Sequence, residues 1–263
     1  MLGIFDRPYA DPVRLPLANG PGPILTIVFV YLLFVLRLGP WLMANRKPYQ
    51  LRAVLKVYNV IQILYNSLFF VISMEFILVD QAYDFNCLTI LPPEHEKKNM
   101  ERVLVYAYYL NKILDLMDTI FFVVRKSYKQ ITMLHLIHHV YMPTAGYILI
   151  RFFGYGGHVI VVGLLNVIVH TVMYTYYYLS AESPALRQNL WWKQYITIMQ
   201  MVQFILMFLH SIWTLVQPNC NADRPVIYLV LAASSLMLVM FANFYAHAYI
   251  LPKRKKLTDE KRK

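Results

Sequence analysis

Charge is scarce over long distances in this chain. Of its 263 residues 15% are Asp, Glu, Lys or Arg, while 59% are hydrophobic and 15% aromatic. That balance is too apolar for one soluble core, and the uncharged runs point to a polytopic membrane protein. Acidic residues are the scarcer sign, 14 against 25 Lys and Arg, for a formal charge of +11. The basic residues sit in short clusters beside apolar runs, which is how membrane proteins are oriented, so no nucleic-acid partner is expected. The first 23 residues are rich in Pro and Gly and lack an apolar core, so no cleavable signal peptide is expected and the first span serves as its own targeting signal. No repeat or low-complexity tract stands out. The expected organisation is a non-cytosolic tail over 1–22, one helical domain over 23–251 and a basic cytosolic tail over 252–263.

Seven runs are long enough to cross a bilayer as helices: 23–43, 57–79, 103–124, 131–150, 158–179, 194–216 and 226–250. A closed barrel would show alternating segments of about ten residues. Continuous runs such as VIYLVLAASSLMLVMFANFYAHAYIL exclude it. The fold class read from the sequence is therefore an all-α membrane protein with seven transmembrane helices. Counted by side, seven Lys and Arg flank the spans on one face and seventeen on the other, with Lys112 inside the third span. The positive-inside rule then places the carboxy terminus in the cytosol and the amino terminus outside or in a lumen. Cysteine is nearly absent. Cys87 and Cys220 both fall in non-cytosolic loops, where they are either a disulfide or two free thiols. The tail LPKRKKLTDEKRK reads as an anchor for anionic headgroups, and loosely resembles a dilysine retrieval signal through Lys261, with Glu260 where a second Lys would help.

Polar side chains within the spans are the candidate site, because each is costly in hydrocarbon. The third span carries NKILDLMDT, which places Lys112, Asp115, Asp118 and Thr119 at spacings of three and four on one helical face. They form either a neutralising pair that lets the helix pack or part of a reactive site. The fourth carries HLIHHVYMP, with His135, His138 and His139 again on one face, and Pro143 removing the amide proton due to the His139 carbonyl. The fifth places Asn166, His170 and Tyr174 one turn apart, and the sixth places Gln200 and Gln203 together. The Gln pair read alone is packing glue. Together the four spans could line one polar chamber towards the cytosol, with an apolar continuation towards the lumen.

Di-iron desaturases also carry histidine boxes, but need several of them. Here there is one box, and His95, His158, His210 and His247 fall at other depths, so no metal is expected. The set KILDLMDT, HLIHH, NVIVHTVMYTYYY and TIMQMVQ, in this order and over nearly the whole chain, resembles the fatty acid elongase family. The family's first box usually reads K-x-x-E-x-x-D-T, and Asp115 stands here in the Glu position. The resemblance implies a multi-pass enzyme of the endoplasmic reticulum, a very-long-chain 3-oxoacyl-CoA synthase. It would join a long-chain acyl-CoA to malonyl-CoA with loss of CO2, without a cofactor, and hand its product to downstream reductases and a dehydratase.

Under that reading both cysteines lie on the wrong side for cytosolic thioesters, and histidine is the available nucleophile. A neutral imidazole accepts acyl groups and also serves as a base. His138 would attack the acyl thioester, His170 and Asn166 would hold malonyl-CoA and its enolate, and His135 and His139 would position the reacting groups. A concerted condensation is the alternative. Asp115 and Asp118 would orient a histidine or pair with Lys112. An acyl tunnel could be lined by Phe69, Phe70, Phe204 and Phe208, and CoA phosphates could meet Lys126, Lys129, Arg187 and Lys193. The competing function is a proton-coupled transporter using the intramembrane His and Asp residues; a receptor fits less well, because the polar groups gather on the cytosolic side.

Overall fold

The computed structural model describes residues 8–79 and 83–251, with the side chains of Pro184 and Arg187 outside that description. The tail 252–263, with its headgroup-anchor and retrieval readings, therefore lies outside the described residues. Among those residues the fold is all-helical, without a strand beyond one isolated bridge between Asp84 and Cys87. In order the helices are α1 (Pro21–Leu33), α2 (Gly39–Met43), α3 (Arg52–Met74), α4 (Lys98–Leu114), α5 (Leu116–Val124), α6 (Met133–Phe152), α7 (Val159–Glu182), α8 (Pro184–Gln188), α9 (Leu190–Val216) and α10 (Arg224–Tyr245). Wide π-turns join α1 to α2 and extend α3 and α10.

Five continuous helices are long and apolar enough to span a membrane: Pro21–Met43, Arg52–Val79, Val159–Glu182, Leu190–Val216 and Arg224–Ile250. The protein is thus multi-pass. The expected third and fourth spans are also helical, but neither is among the five. The third is divided at Asp115 into α4 and α5: the Asp115 amide bonds to Asn111 in α-helical fashion, while the Asp118 amide reaches Asp115 itself, a tighter i to i+3 closure. The fourth, α6, is diluted by its histidines. It nevertheless runs unbroken past Pro143, where the Thr144 hydroxyl donates to the Val140 carbonyl at 2.7 Å. At its start the Thr132 hydroxyl accepts from the His135 amide, a capping bond that fixes where the histidine run begins.

The sorting of side chains on α3 shows which solvent this fold is built for. Tyr58, Asn59, Gln62, Asn66 and Ser73 face inward with Phe69, whereas Val57, Leu64, Leu68 and Val71 face outward, Leu64 at 63% exposure. A water-soluble helix has the opposite pattern. In lipid the apolar face costs nothing outside, and amide groups must be satisfied within the protein.

The chain divides into two compact units. The first comprises 1–51, 88–160 and 221–226, and holds α1, α2, α4, α5 and α6. One end of it is tied by buried charge. Arg102 Nε donates to both Asp11 oxygens at 3.0 Å, and Lys98 bridges Glu101 at 2.6 Å and the Tyr155 carbonyl at 3.2 Å. Arg151, almost wholly buried, donates to the Pro8 carbonyl and lies 3.9 Å over the Tyr9 ring. Tyr106 and Tyr109 donate to the carbonyls of Pro16 and Leu17, so the residues before α1 are strapped against α4 and α6. Tyr155 is buried in the same place; burial and then the Asp11 carboxylate push its phenol up to about 12, so it stays neutral. Gly156 has φ of 111°, and a Cβ there would run into the Glu101 carboxylate.

The second unit comprises 52–87, 161–220 and 227–263, and holds α3, most of α7, α8, α9 and most of α10. Cys87 and Cys220 form a disulfide with an S–S distance of 2.05 Å, joining the segment after α3 to the segment after α9. Beside it Trp213 donates to Asn86 and His210 meets the Phe85 carbonyl. At α3's opposite end Glu182 bridges Arg52 and Lys56.

Gly156→Ala should destabilise detergent-purified protein by more than the about 1–3 kcal/mol of backbone strain alone, because Glu101 must also move, and the loss is read as a fall in melting temperature. A maleimide should label neither cysteine before reduction and both after it, and Cys87→Ser should cost about 2–4 kcal/mol of stability.

Candidate active site

In the first unit the two boxes meet. α5 presents Thr119 and α6 presents His135, with the Thr119 hydroxyl 2.8 Å from His135 Nε2. The same hydroxyl is 2.8 Å from the Tyr31 phenol of α1. A hydroxyl has one proton to give, so this bridge through the wholly buried Thr119 couples the orientation of Tyr31 to the tautomer of His135. The imidazoles of His135 and His139 lie 4.1 Å apart by centroid, and His138 stands edge-on to His139 at 5.6 Å. Phe122 flanks His135 at 5.4 Å. The three histidines therefore form one cluster, as helical spacing requires.

Lys112 and Asp115 form a buried ion pair at 2.7 Å, with Lys112 5.0 Å over the Tyr108 ring. The neutralising reading of this box thus has geometric support: the pair removes net charge from the interior at the joint between α4 and α5. Asp118 is half-buried one turn on. His138 differs from its neighbours. Its Nδ1 is buried and takes no hydrogen bond, whereas the Nε2 of His135 is held by Thr119.

The second unit holds the other candidates. Asn166, His170 and Tyr174 are buried along one face of α7, with the His170 and Tyr174 rings edge-on at 5.7 Å. Gln203 is buried on α9 and Gln200 half-buried. Phe69 and Phe204 point inward, Phe204 against Phe241 at 5.3 Å, while Phe70 and Phe208 are half-buried. Tyr58, Gln62 and Asn66 of α3 escaped the sequence reading although Gln62 and Asn66 are wholly buried. The available signal was two amides four residues apart in an apolar run. Tyr31 had no signal, being one tyrosine among 21.

Of the basic residues expected to meet CoA, Lys126 has a structural role. It terminates α5 at φ 55°, its amide bonding to Val123 and that of Ser127 to Phe122, and its ammonium donates to the Ala44 carbonyl at 3.1 Å. Lys129 is exposed, Lys193 half-buried, and the Arg187 side chain lies outside the described residues. Arg52 and Lys56, with Glu182, are a further basic pair that the sequence reading did not single out.

Inward-facing amides and five helices long and apolar enough to span a bilayer define a multi-pass membrane protein with buried polar side chains, the histidine cluster of α6 beside them in sequence. The chain belongs to the ELO family, the GNS1/SUR4 family, whose model matches residues 16–257. Its relatives include very long chain fatty acid elongase F of Drosophila melanogaster, 45% identical over 95% of this chain and 98% of that protein. The Drosophila simulans protein of the same name is 47% identical over 93% and 94%. Very long chain fatty acid elongase 1 of Mus musculus is 37% identical over 94% and 88%.

The Lys112–Asp115 pair gives a direct test. Asp115→Glu should keep the pair and the melting temperature, whereas Asp115→Ala leaves a buried ammonium unpaired and should cost about 3–5 kcal/mol, read by thermal denaturation.

Proposed function

We propose that this protein is the condensing enzyme of very-long-chain fatty acid elongation. It joins a long-chain acyl-CoA to malonyl-CoA and releases CoA, CO2 and a 3-oxoacyl-CoA longer by two carbons. The relatives' names support elongation. One observation supports a histidine rather than a thiol as nucleophile: the chain has two cysteines, and both are consumed in one disulfide. No thiolate remains for the acyl transfer.

His138 carries the acyl group. The unshared pair on its Nδ1 attacks the thioester carbonyl; a C–N bond forms, the C–S bond breaks, and CoA leaves with the proton that the imidazole gives up. His135, held by Thr119, and His139 position the ring and the carbonyl oxygen. Malonyl-CoA is served by Asn166 and His170, whose donors stabilise the enolate oxygen left when CO2 departs. The enolate carbon then attacks the acyl carbonyl, the C–N bond breaks, and the departing imidazolate nitrogen takes up one proton from the solvent, which regenerates neutral His138. Lys112, Asp115 and Asp118 balance charge and orient rather than react, since a carboxylate near the malonyl carboxylate would repel it. Tyr174, Gln200 and Gln203 support the polar interior.

The setting follows from the same physics. With α4–α5 and α6 as the two polar spans, the count becomes seven, most of them around an acyl tunnel. The excess of Lys and Arg puts the carboxy terminus in the cytosol. The disulfide suits an oxidising lumen on the opposite side, as in the endoplasmic reticulum. Acyl-CoA, malonyl-CoA and the reductases and dehydratase of the cycle are the cytosol-facing partners.

Purified protein given labelled malonyl-CoA and a panel of acyl-CoA primers should make labelled 3-oxoacyl-CoA, and His138→Ala should lose at least about a hundredfold of that rate. Intact mass after acyl-CoA alone should gain one acyl group on the unsubstituted protein and none on His138→Ala. No adduct in protein that turns over would overturn the covalent step; no product from any primer would favour proton-coupled transport.

A further inference from the structure

The proposed chemistry uses none of the polar residues on α3, yet they form a continuous ladder inside an apolar span. Asn66 Nδ2 donates to the Gln62 backbone carbonyl at 2.8 Å and to Gln62 Oε1 at 3.2 Å. Gln62 Nε2 in turn donates to the Tyr58 phenol at 3.1 Å. The spacing is four residues at each step, so the three side chains stack along one face of the helix. The ladder ends on a ring contact to α7: Tyr58 lies edge-on to Tyr174, centroids 5.9 Å apart and planes at 83°. Tyr174, wholly buried, is in turn edge-on to His170.

The three ladder bonds lie within one helix. Polar pairs in membranes return little free energy, because the unfolded helix finds partners too. Leu64 and Leu68 show that aliphatic residues suit this helix. What the ladder supplies is orientation. Asn66 is fixed by a backbone carbonyl, Gln62 by Asn66, and the Tyr58 ring by Gln62, so each link removes a rotational freedom from the next. An edge-on contact is directional, since the positive rim of one ring seeks the negative face of another. An imidazole in catalysis needs its ring held to within about 10–20°.

We infer that Tyr58, Gln62 and Asn66 are positioning residues that set the orientation of the His170 ring through Tyr174. The inference rests on the assignment of His170 to the malonyl half of the reaction. Malonyl-dependent turnover is therefore the step that the ladder controls, and acylation of His138 is the step that it leaves alone.

The test uses full-length protein in detergent or nanodiscs, with Gln62→Leu, Tyr58→Phe, their combination and His170→Ala. Tyr58→Phe keeps the ring and removes the phenol oxygen that accepts from Gln62, so it serves even where Gln62→Leu folds poorly. Each of the two should lower kcat for condensation by about five- to tenfold, the loss of one buried hydrogen bond's worth of alignment, with KM for malonyl-CoA changed less than about twofold. The combined variant should be no slower than Gln62→Leu alone, because that change already removes the bond to the Tyr58 phenol. The rate of acyl-adduct formation from acyl-CoA alone should stay at the unsubstituted value, which a general loss of structure would not allow. Adding Gln62→Leu to His170→Ala should slow condensation no further. Unchanged kcat in Tyr58→Phe, or equal slowing of acylation and condensation, overturns the ladder while His170 keeps its role. If His170→Ala itself leaves condensation intact, the assignment of His170 falls, and the ladder's function falls with it.

Discussion

A buried polar group has to find its partner inside the protein, and this constraint organises both units. On α3 it turns the amides inward and leaves Leu64 and Val71 to the outside. In α5 and α6 it buries a Thr hydroxyl between a phenol and an imidazole, and at the α4–α5 joint it pairs a lysine with an aspartate. Each pairing answers a desolvation cost of several kcal/mol per unpaired group. Side chains held this way are oriented by their own partners, and donors fixed in advance are the ones that stabilise developing charge well.

In the proposed reaction the nucleophile is a histidine, and cysteine has another task. A thiolate would be the intrinsically better nucleophile, but the two thiols here are spent on holding the segments after α3 and α9 together. Imidazole is a weaker nucleophile that is unprotonated at neutral pH without help, and its acyl derivative remains reactive towards an enolate carbon. The buried, unpaired Nδ1 of His138 stands beside neighbours whose own orientations are constrained, His135 by Thr119 and the α6 cap by Thr132. The strap before α1, tied by Asp11, Arg102, Arg151 and two tyrosines, gives the same unit a rigid far end, so α4 and α6 are pinned at a distance from the histidines.

Much of the fold was legible because hydropathy reports directly on the solvent around a helix. The first span, expected at 23–43, is Pro21–Met43, and the last, expected at 226–250, is Arg224–Ile250. Helical spacing likewise placed His135, His138 and His139 on one face. The division at Asp115 was not legible, because an i to i+3 ion pair is compatible with an unbroken helix until the backbone bonds are seen to tighten. Nor was the strap over the end of the first unit: Pro8, Pro16 and Leu17 are held by their carbonyls, which carry no residue identity. Lys126 was read by charge alone, and its part in ending α5 depends on a backbone angle that composition does not encode.

The sequence by itself determined the solvent of the long apolar helices, which of their polar side chains share a helical face and the shortage of thiols, because each depends on side-chain type and on the periods of the helix. Only the tertiary structure decided partners. That Thr119 meets Tyr31 from 88 residues away, that Arg102 meets Asp11, that Cys87 meets Cys220 and that Tyr58 meets Tyr174 are facts of chain path. The physical reason is that burial and periodicity act on one helix at a time, whereas a hydrogen bond or a ring contact needs two elements within a few ångströms, and many helix arrangements satisfy the same pattern of inward faces.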